Sequence, residues 1–128
     1  MTEARLRLGQ RGEDAARAFL EARGIRIVAA NFSCSAGEID LVGQEGTTLI
    51  FVEVKTRSSR AFGPPQFAVH HRKQRQIARA AQWYLAAQRK TDAACRFDVL
   101  AVTFAATEAP PQIDWIRDAF PAEGVRLW

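Results

Sequence analysis

The fold is decided by residues 37–57, GEIDLVGQEGTTLIFVEVKTR, in which two segments of alternating character flank a turn. Side chains on a strand point alternately to opposite faces, so Ile39 and Leu41 are predicted to face away from Asp40. The second segment alternates in the same way. Gly46-Thr47 lies in a turn-forming stretch between the two segments. The sequence therefore predicts one β-hairpin with charged side chains on one face.

Two carboxylates and a lysine share that face. A turn centred on Gly46-Thr47 places Asp40 opposite Glu53. The same pairing places Glu38 opposite Lys55. Directly opposed side chains lie about 5 Å apart at Cβ, and two carboxylates at that distance repel each other unless a cation lies between them. The pattern predicts a site for a hard divalent ion, Mg²⁺ or Mn²⁺, that keeps several waters for a phosphate substrate.

Hydrolysis of a phosphodiester bond requires a polarised phosphate, an oriented water and neutralisation of the developing charge. Asp40 and Glu53 are candidate metal ligands. Lys55 follows Glu53 by two residues, so its ammonium group returns to the same face and can orient the water or offset the charge. Glu38 is either an outer ligand or a partner of Lys55, and Glu13 could reach the site from a preceding helix.

An exposed hairpin face can also carry glutamate and lysine for solubility alone, and this is the structural alternative. Both faces of this hairpin are rich in apolar residues, which is typical of strands that are buried on both sides. Charged groups in such strands are costly unless they are paired or bind a metal. This observation favours a functional site over a solvated surface.

The composition indicates one ordinary globular domain. The chain has 128 residues, 48% hydrophobic and 25% charged, with a net charge of +4. It contains no apolar run long enough for a membrane helix, and residues 1–5 do not resemble a signal peptide, so no membrane association and a cytoplasmic location are expected. The two cysteines, Cys34 and Cys95, are far apart in sequence, and neither a structural disulfide nor a zinc site is expected.

The positive charge is concentrated in one segment. Between Lys55 and Lys90 the chain has nine lysine and arginine residues, half of its eighteen, and no acidic residue. A basic segment that begins at a carboxylate cluster suggests that the acids hold a metal and the basic side chains hold a nucleic-acid backbone. The candidate nucleic-acid-binding residues are Arg57, Arg60, Arg72, Lys73, Arg75 and Arg79.

Hydrophobic periodicity predicts a single α/β domain over residues 1–128, with helices packed on a sheet. The predicted elements are helices at 8–23 and 66–88, strands at 25–29, 96–104 and 113–117, the two hairpin strands, a bend at 31–36, a loop at 58–65 and an irregular tail after about 118.

Two charged side chains of the predicted helices bear on the site. Glu13 lies on the inward face of the first helix, and Lys73 precedes the buried stripe of the second helix on the same face. The predicted stripe contains Ile77, Ala80, Ala81, Tyr84 and Leu85. The three tryptophans are predicted to be packing residues and not base-stacking platforms: Trp83, Trp115 and Trp128.

An Asp followed on the next strand by Glu-x-Lys, here Asp40 and Glu53-Val54-Lys55, resembles the metal motif of the restriction-endonuclease-like nuclease superfamily. The proline that often precedes the Asp is replaced by Ile39. Over nearly the whole chain, the sequence resembles the YraN-like family of small bacterial proteins. The residues that carry this resemblance are Gly12-Glu13, Ala16, Asn31-Phe32, 37–41, 51–57, Phe62-Gly63, Lys73, Tyr84-Leu85, Arg96-Phe97-Asp98 and Ala119-Phe120.

The YraN-like family is similar to archaeal Holliday-junction resolvases, in which a glutamate of the first helix joins the Asp and Glu-x-Lys set. The resemblance implies catalytic roles for Glu13, Asp40, Glu53 and Lys55, with Glu13 as an additional metal ligand. It also implies a restriction-endonuclease-like fold, with a central mixed β-sheet flanked by helices.

The sequence therefore leads to the hypothesis of an endonuclease that depends on Mg²⁺ or Mn²⁺ and acts on DNA, with branched or structured DNA as a candidate substrate. The alternative is a non-catalytic module that binds nucleic acid or a protein partner on the same fold. A homodimer is left open.

Overall fold

The computed structural model describes residues 3–58, 69–105 and 109–121, which form two helices and a five-stranded sheet. In chain order the elements are α1 (Glu3–Ala22), β1 (Arg26–Cys34), β2 (Gly37–Glu45), β3 (Thr48–Arg57), α2 (His71–Ala87), β4 (Ala94–Thr103) and β5 (Gln112–Phe120). The strand order in the sheet is β1-β2-β3-β4-β5, and only β3 and β4 are parallel. The predicted α/β class is confirmed, and the mixed sheet with flanking helices is consistent with a restriction-endonuclease-like fold.

Each face of the sheet is covered by one helix, and each interface contains a separate apolar core. The α2-side core includes the buried helix residues Ile77, Ala80, Ala81, Tyr84 and Leu85, as the periodicity predicted. The α1-side core includes Ala16 and Leu20 together with Leu41, Ile50, Val52, Leu100 and Val102. The hairpin strands are apolar on both faces because both faces are covered.

The predicted hairpin register is confirmed over its inner part. Leu41 pairs with Val52 and Glu45 pairs with Thr48, and the turn between them contains Gly46 at φ 59°. Glycine tolerates this left-handed conformation without a Cβ clash, which explains why the hairpin turns there.

The predicted alternation of β2 fails at Asp40. Ile39 packs in the α2-side core, whereas Leu41 packs in the α1-side core, so the two do not share a face. The β2–β3 pairing ends at Leu41 and Val52, and Asp40 lies just beyond it. The Asp40 carboxylate instead accepts a hydrogen bond of 2.8 Å from the Val54 backbone N–H.

The neighbouring strand β1 has a matching irregularity. Asn31 has a φ of 52°, and Ala29 and Phe32, which are three residues apart and bracket it, both pack against the α2-side core. Phe32 pairs with Ile39 across the two strands. The left-handed residue therefore shifts the alternation of side chains in β1 by one position. The alternation of β2 shifts at the same level, so the two strands remain paired.

Several predicted boundaries differ from the structure. Helix α1 begins five residues before the predicted start at residue 8, and β1 continues through most of the predicted bend at 31–36. Strand β5 includes residues 118–120, which were predicted to be irregular. The loop predicted at 58–65 lies, except for Ser58, outside the described residues, as do the predicted beginning of the second helix at 66–68 and Trp128.

Two of the tryptophans predicted to pack differ in their exposure. Trp115 packs against the α1-side core, but Trp83 is 55% exposed, so the packing role predicted for Trp83 is wrong.

Asp98 is fully buried on the face opposite Glu53 and accepts hydrogen bonds from Arg96, Trp115 Nε1 and the Asp118 N–H. Its role is structural, because it joins the ends of β4 and β5.

Gly12 allows α1 to approach the sheet next to Glu13. A Cβ at position 12 would overlap Thr56 Oγ1 and lie 2.8 Å from Thr56 Cβ. We expect Gly12→Ala to lower the free energy of unfolding by about 1–3 kcal/mol, the usual cost of overpacking, in a urea titration. The matched control is Gly9→Ala in the same helix, where a Cβ meets no atom within 4 Å, and this variant should gain about 0.5–1 kcal/mol. Adding Thr56→Ala should recover part of the loss, and equal stability of the two alanine variants would contradict the close approach.

Candidate functional site

Asp40 and Glu53 form a carboxyl pair at the point where β2 leaves β3. The two side chains share a hydrogen bond, and the Glu53 side chain is only 16% exposed. The Val54 N–H bonded to Asp40 belongs to the residue next to Glu53, so the backbone of β3 fixes both carboxyls relative to each other. The irregularity at Asp40 is what turns its side chain toward β3 instead of leaving it in the ladder.

Both members of the carboxyl pair retain protons more strongly than usual. Burial raises the pKa of Glu53 to about 7, and the charge of Asp40 adds to this rise. Burial also raises the pKa of Asp40, while the hydrogen bond from Val54 opposes that rise. Two neighbouring acidic groups with little access to solvent hold one proton between them near neutral pH, because two negative charges at this distance repel each other. A cation that replaces the proton would relieve that repulsion.

Two lysines approach the carboxyl pair from different elements. Lys73 extends from the first turn of α2, and its Nζ lies 3.7 Å from Glu53 Oε1 with the side chain 45% exposed. Lys55 is on β3, and its positive charge lowers the pKa of Glu53 from what burial alone would give. The inward position of Lys73 was predictable from the helical spacing, but its contact with Glu53 was not among the predicted roles, which placed Lys73 only in nucleic-acid binding.

Glu13 approaches the same region from α1. It is partly buried, and burial raises its pKa, with the charges of Asp40 and Glu38 acting in the same direction. Its carboxyl group has a hydrogen bond with the side chain of Asn31, which lowers the pKa. Asn31, the left-handed residue of β1, therefore connects that strand to the acidic cluster. No role was predicted for Asn31, although this asparagine forms part of the pattern shared with the YraN-like family.

The carboxyl pair fits a divalent ion, but the described residues do not group a third ligand with it. Mg²⁺ binds proteins through one or two carboxylates and keeps waters for phosphate oxygens, which matches Asp40 and Glu53. Over residues 3–58, 69–105 and 109–121, no three histidine, cysteine or acidic side chains are grouped to hold one ion. Glu13 is close enough to influence Asp40 but is not positioned as a third ligand, and its role as a ligand remains a prediction.

The predicted nucleic-acid-binding residues lie in different surroundings. Arg72, Arg75 and Arg79 are exposed on α2. Arg57 is partly buried at the end of β3, where its Nε donates a hydrogen bond of 3.3 Å to Thr103 Oγ1. Arg60 lies outside the described residues.

The raised pKa values predict that stability falls with rising pH. The folded chain keeps a proton on Glu53 up to about pH 7, whereas the ordinary value is 4.5, so the folded state binds more protons between these limits. The free energy of unfolding should therefore fall by about 1–3 kcal/mol from about pH 5 to about pH 8 in EDTA, because one pKa unit corresponds to about 1.4 kcal/mol. Chemical denaturation across this range measures the fall.

Glu53→Gln should remove most of this pH dependence because glutamine does not titrate. The matched control is Glu21→Gln on the exposed side of α1, which should leave the slope unchanged. A slope that is the same in wild type and Glu53→Gln would show that the carboxyl pair does not hold the proton.

Comparison with known proteins identifies relatives over most of the chain. The sequence pattern of the uncharacterised protein family UPF0102 matches residues 12–102. A UPF0102 protein of Geobacter metallireducens is 50% identical over 113 residues, which are 88% of this chain and 91% of that protein. A UPF0102 protein of Moorella thermoacetica is 43% identical over 120 residues, 94% of this chain and 100% of that protein. The matched region includes all four predicted catalytic positions, and the resemblance to the YraN-like family is confirmed.

The helices give no sign of a membrane span. In the part of the chain that the structure describes, none of them combines the length and the apolar character needed to cross a bilayer.

Proposed function

From the premise that the chain belongs to the uncharacterised protein family UPF0102, we propose that it is a metal-dependent endonuclease that hydrolyses phosphodiester bonds in branched or structured DNA. The observation that carries the proposal is the carboxyl pair of Asp40 and Glu53, approached by two lysines from β3 and α2. Largely buried acids that repel each other are costly to maintain, and binding of a divalent ion and a phosphate substrate would explain their presence.

The residues divide into those that hold the ion and those that hold the substrate. Asp40 and Glu53 would bind Mg²⁺ or Mn²⁺, with Glu13 as an additional ligand if it moves toward the pair. The bound ion would polarise the phosphate and make a bound water more acidic. Lys55 would orient the attacking water or offset the charge that develops on the phosphate.

Lys73 has two available partners in this proposal. Without substrate it neutralises part of the Glu53 charge, since the two groups are 3.7 Å apart. Its side chain is also 45% exposed, so Lys73 would be able to hold a phosphate of the DNA when Asp40 and Glu53 hold a cation. The same side chain would then add to substrate binding.

The direct test is cleavage of labelled duplex, single-stranded, flap and four-way-junction DNA with Mg²⁺, with Mn²⁺ and with EDTA. The proposal expects cuts that require the metal and are strongest on branched forms. Tight DNA binding without cleavage of any of these substrates, in either metal, would favour the alternative of a non-catalytic nucleic-acid-binding module.

Binding of DNA should weaken steeply with salt, because the arginines of α2 would displace counterions from phosphates. For about four phosphate contacts, the affinity should fall about 100-fold between about 50 and 200 mM salt. Each of Arg75→Glu and Arg79→Glu should weaken binding on all sequences alike and reduce the salt slope by about 1. The control Arg17→Glu makes the same charge change on α1 and should have a smaller effect. Fluorescence anisotropy measures all four proteins, and a flat salt dependence would contradict the assigned interface.

A further inference from the structure

The outer face of α2, defined here as Arg72, Arg75, Arg79 and Trp83, is basic and carries an unexpectedly exposed aromatic ring. Trp83 is 55% exposed, and the three arginines are also exposed. Residues 75, 79 and 83 are spaced four apart, so their side chains follow one another along the helix. They lie opposite the buried stripe that contacts the sheet.

Packing among the described residues does not explain Trp83. Three other aromatic rings, those of Phe19, Phe104 and Trp115, each lie under an arginine at 3.4–4.7 Å from the ring centroid. Over the residues that the structure describes, neither an arginine nor a second ring is stacked on Trp83 in this way. A tryptophan exposed beside arginines combines two residue types that are enriched at contact surfaces.

The charge of α2 selects the class of partner. The helix contains Arg72, Lys73, Arg75 and Arg79 and not one acidic residue. A surface with this charge is complementary to a polyanion. The exposed ring adds a second preference, because an aromatic side chain on a convex helix can stack on a base only when that base is unpaired.

We propose that the outer face of α2 binds a single-stranded stretch of DNA, with Trp83 stacked on an unpaired base and Arg75 and Arg79 on the adjoining phosphates. Duplex DNA would contact the arginines alone. The inference rests on the proposed function for its choice of DNA, and it narrows the substrate to branched DNA that has an unpaired segment beside the cut.

The length of the helix sets where the unpaired base would lie. Lys73 is at the carboxyl pair, and Trp83 is ten residues further along α2, about 15 Å at 1.5 Å per residue. This rise along the axis is a minimum separation, because Lys73 points to the sheet and Trp83 lies on the outer face; at about 3.4 Å per nucleotide of stacked strand it corresponds to at least about four nucleotides. A substrate with unpaired bases at least about four nucleotides from the scissile phosphate would contact both places.

The experiment measures binding in EDTA, so that it does not depend on cleavage. Fluorescence anisotropy compares a labelled poly-dT oligonucleotide with a duplex of the same length for wild type, Trp83→Ala, Trp83→Phe and Leu6→Ala. Leu6 is an exposed apolar residue of α1 and serves as the matched control. We expect Trp83→Ala to weaken oligo-dT binding about 10-fold or more, since stacking on one base is worth about 1–3 kcal/mol. Duplex binding should change less than about 2-fold, and Trp83→Phe should keep most of the oligo-dT affinity because a ring is still present.

Three outcomes would overturn the inference. The first is unchanged oligo-dT binding in Trp83→Ala, and the second is an equal loss for duplex and oligo-dT. The third is a change in oligomeric state by sedimentation with no change in oligo-dT affinity, which would assign Trp83 to contact with a second copy of the chain. A wild type that binds oligo-dT through Trp83 but cuts no DNA would contradict the nuclease proposal and leave this one in place.

Discussion

Lys55→Ala is expected to slow DNA cleavage about 10²–10³-fold while Mn²⁺ binding is retained. Lysine supplies no oxygen ligand, so the carboxyl pair should still hold the ion. What the variant lacks is the ammonium group positioned for the water or the phosphate, and losing one preorganised group of this kind has a cost of that size. Cleavage of a labelled four-way junction under single-turnover conditions measures the rate.

The control for this variant is Lys90→Ala, which removes an exposed lysine beyond the end of α2. It should cut at nearly the wild-type rate. Calorimetric Mn²⁺ titration and a thermal unfolding curve show whether Lys55→Ala keeps its ion and its fold. If Lys55→Ala cuts as fast as the wild type, the assigned mechanism is wrong, and the non-catalytic binding module becomes the better interpretation.

Asp40→Asn is expected to lose cleavage and metal affinity together. The asparagine oxygen can still accept the hydrogen bond from the Val54 N–H, so the irregular end of β2 should keep its shape. The amide group has no charge and can donate to Glu53, which removes the repulsion that a cation would relieve. We expect the cleavage rate to fall at least about 10³-fold. Asp92→Asn, an exposed substitution of the same type, is the matched control.

The parts of the fold that follow from local periodicity were predictable from the sequence. Period-two alternation in residues 49–55 and a turn at Gly46-Thr47 gave the correct pairing of Leu41 with Val52. Period-3.6 spacing gave all five buried residues of α2. In both cases burial of one face depends on neighbours in the sequence, so the sequence pattern carries the information.

The irregular end of β2 was not predictable in this way. Alternation placed Ile39 and Leu41 on one face, but the left-handed Asn31 on the neighbouring strand and the early end of the β2–β3 pairing separate them. Both features depend on contacts between strands. The same applies to Lys73, because its contact with Glu53 requires the placement of α2 over the sheet.

The exposure of Trp83 was predictable from the sequence pattern, but the prediction was wrong. Tryptophan in a helix is predicted to pack, since burial of its large apolar surface is favourable. On α2 the ring falls on the side away from the buried stripe, next to the arginines. Helical spacing from Ile77 already contained this information, and the residue type outweighed it in the prediction.

Calorimetric titration of Mn²⁺ into wild type and Asp40→Asn, in two buffers of different ionisation enthalpy, tests most directly whether the carboxyl pair is a metal site. We predict one ion bound by the wild type near pH 7, with release of part of a proton, because the ion replaces the proton that Glu53 retains while burial raises its pKa to about 7. Asp40→Asn should bind at least about 100-fold more weakly, since even indirect metal partners contribute about 10–100-fold. No measurable binding to the wild type, or equal binding to both proteins, would contradict the assignment of Asp40 and Glu53 as metal ligands.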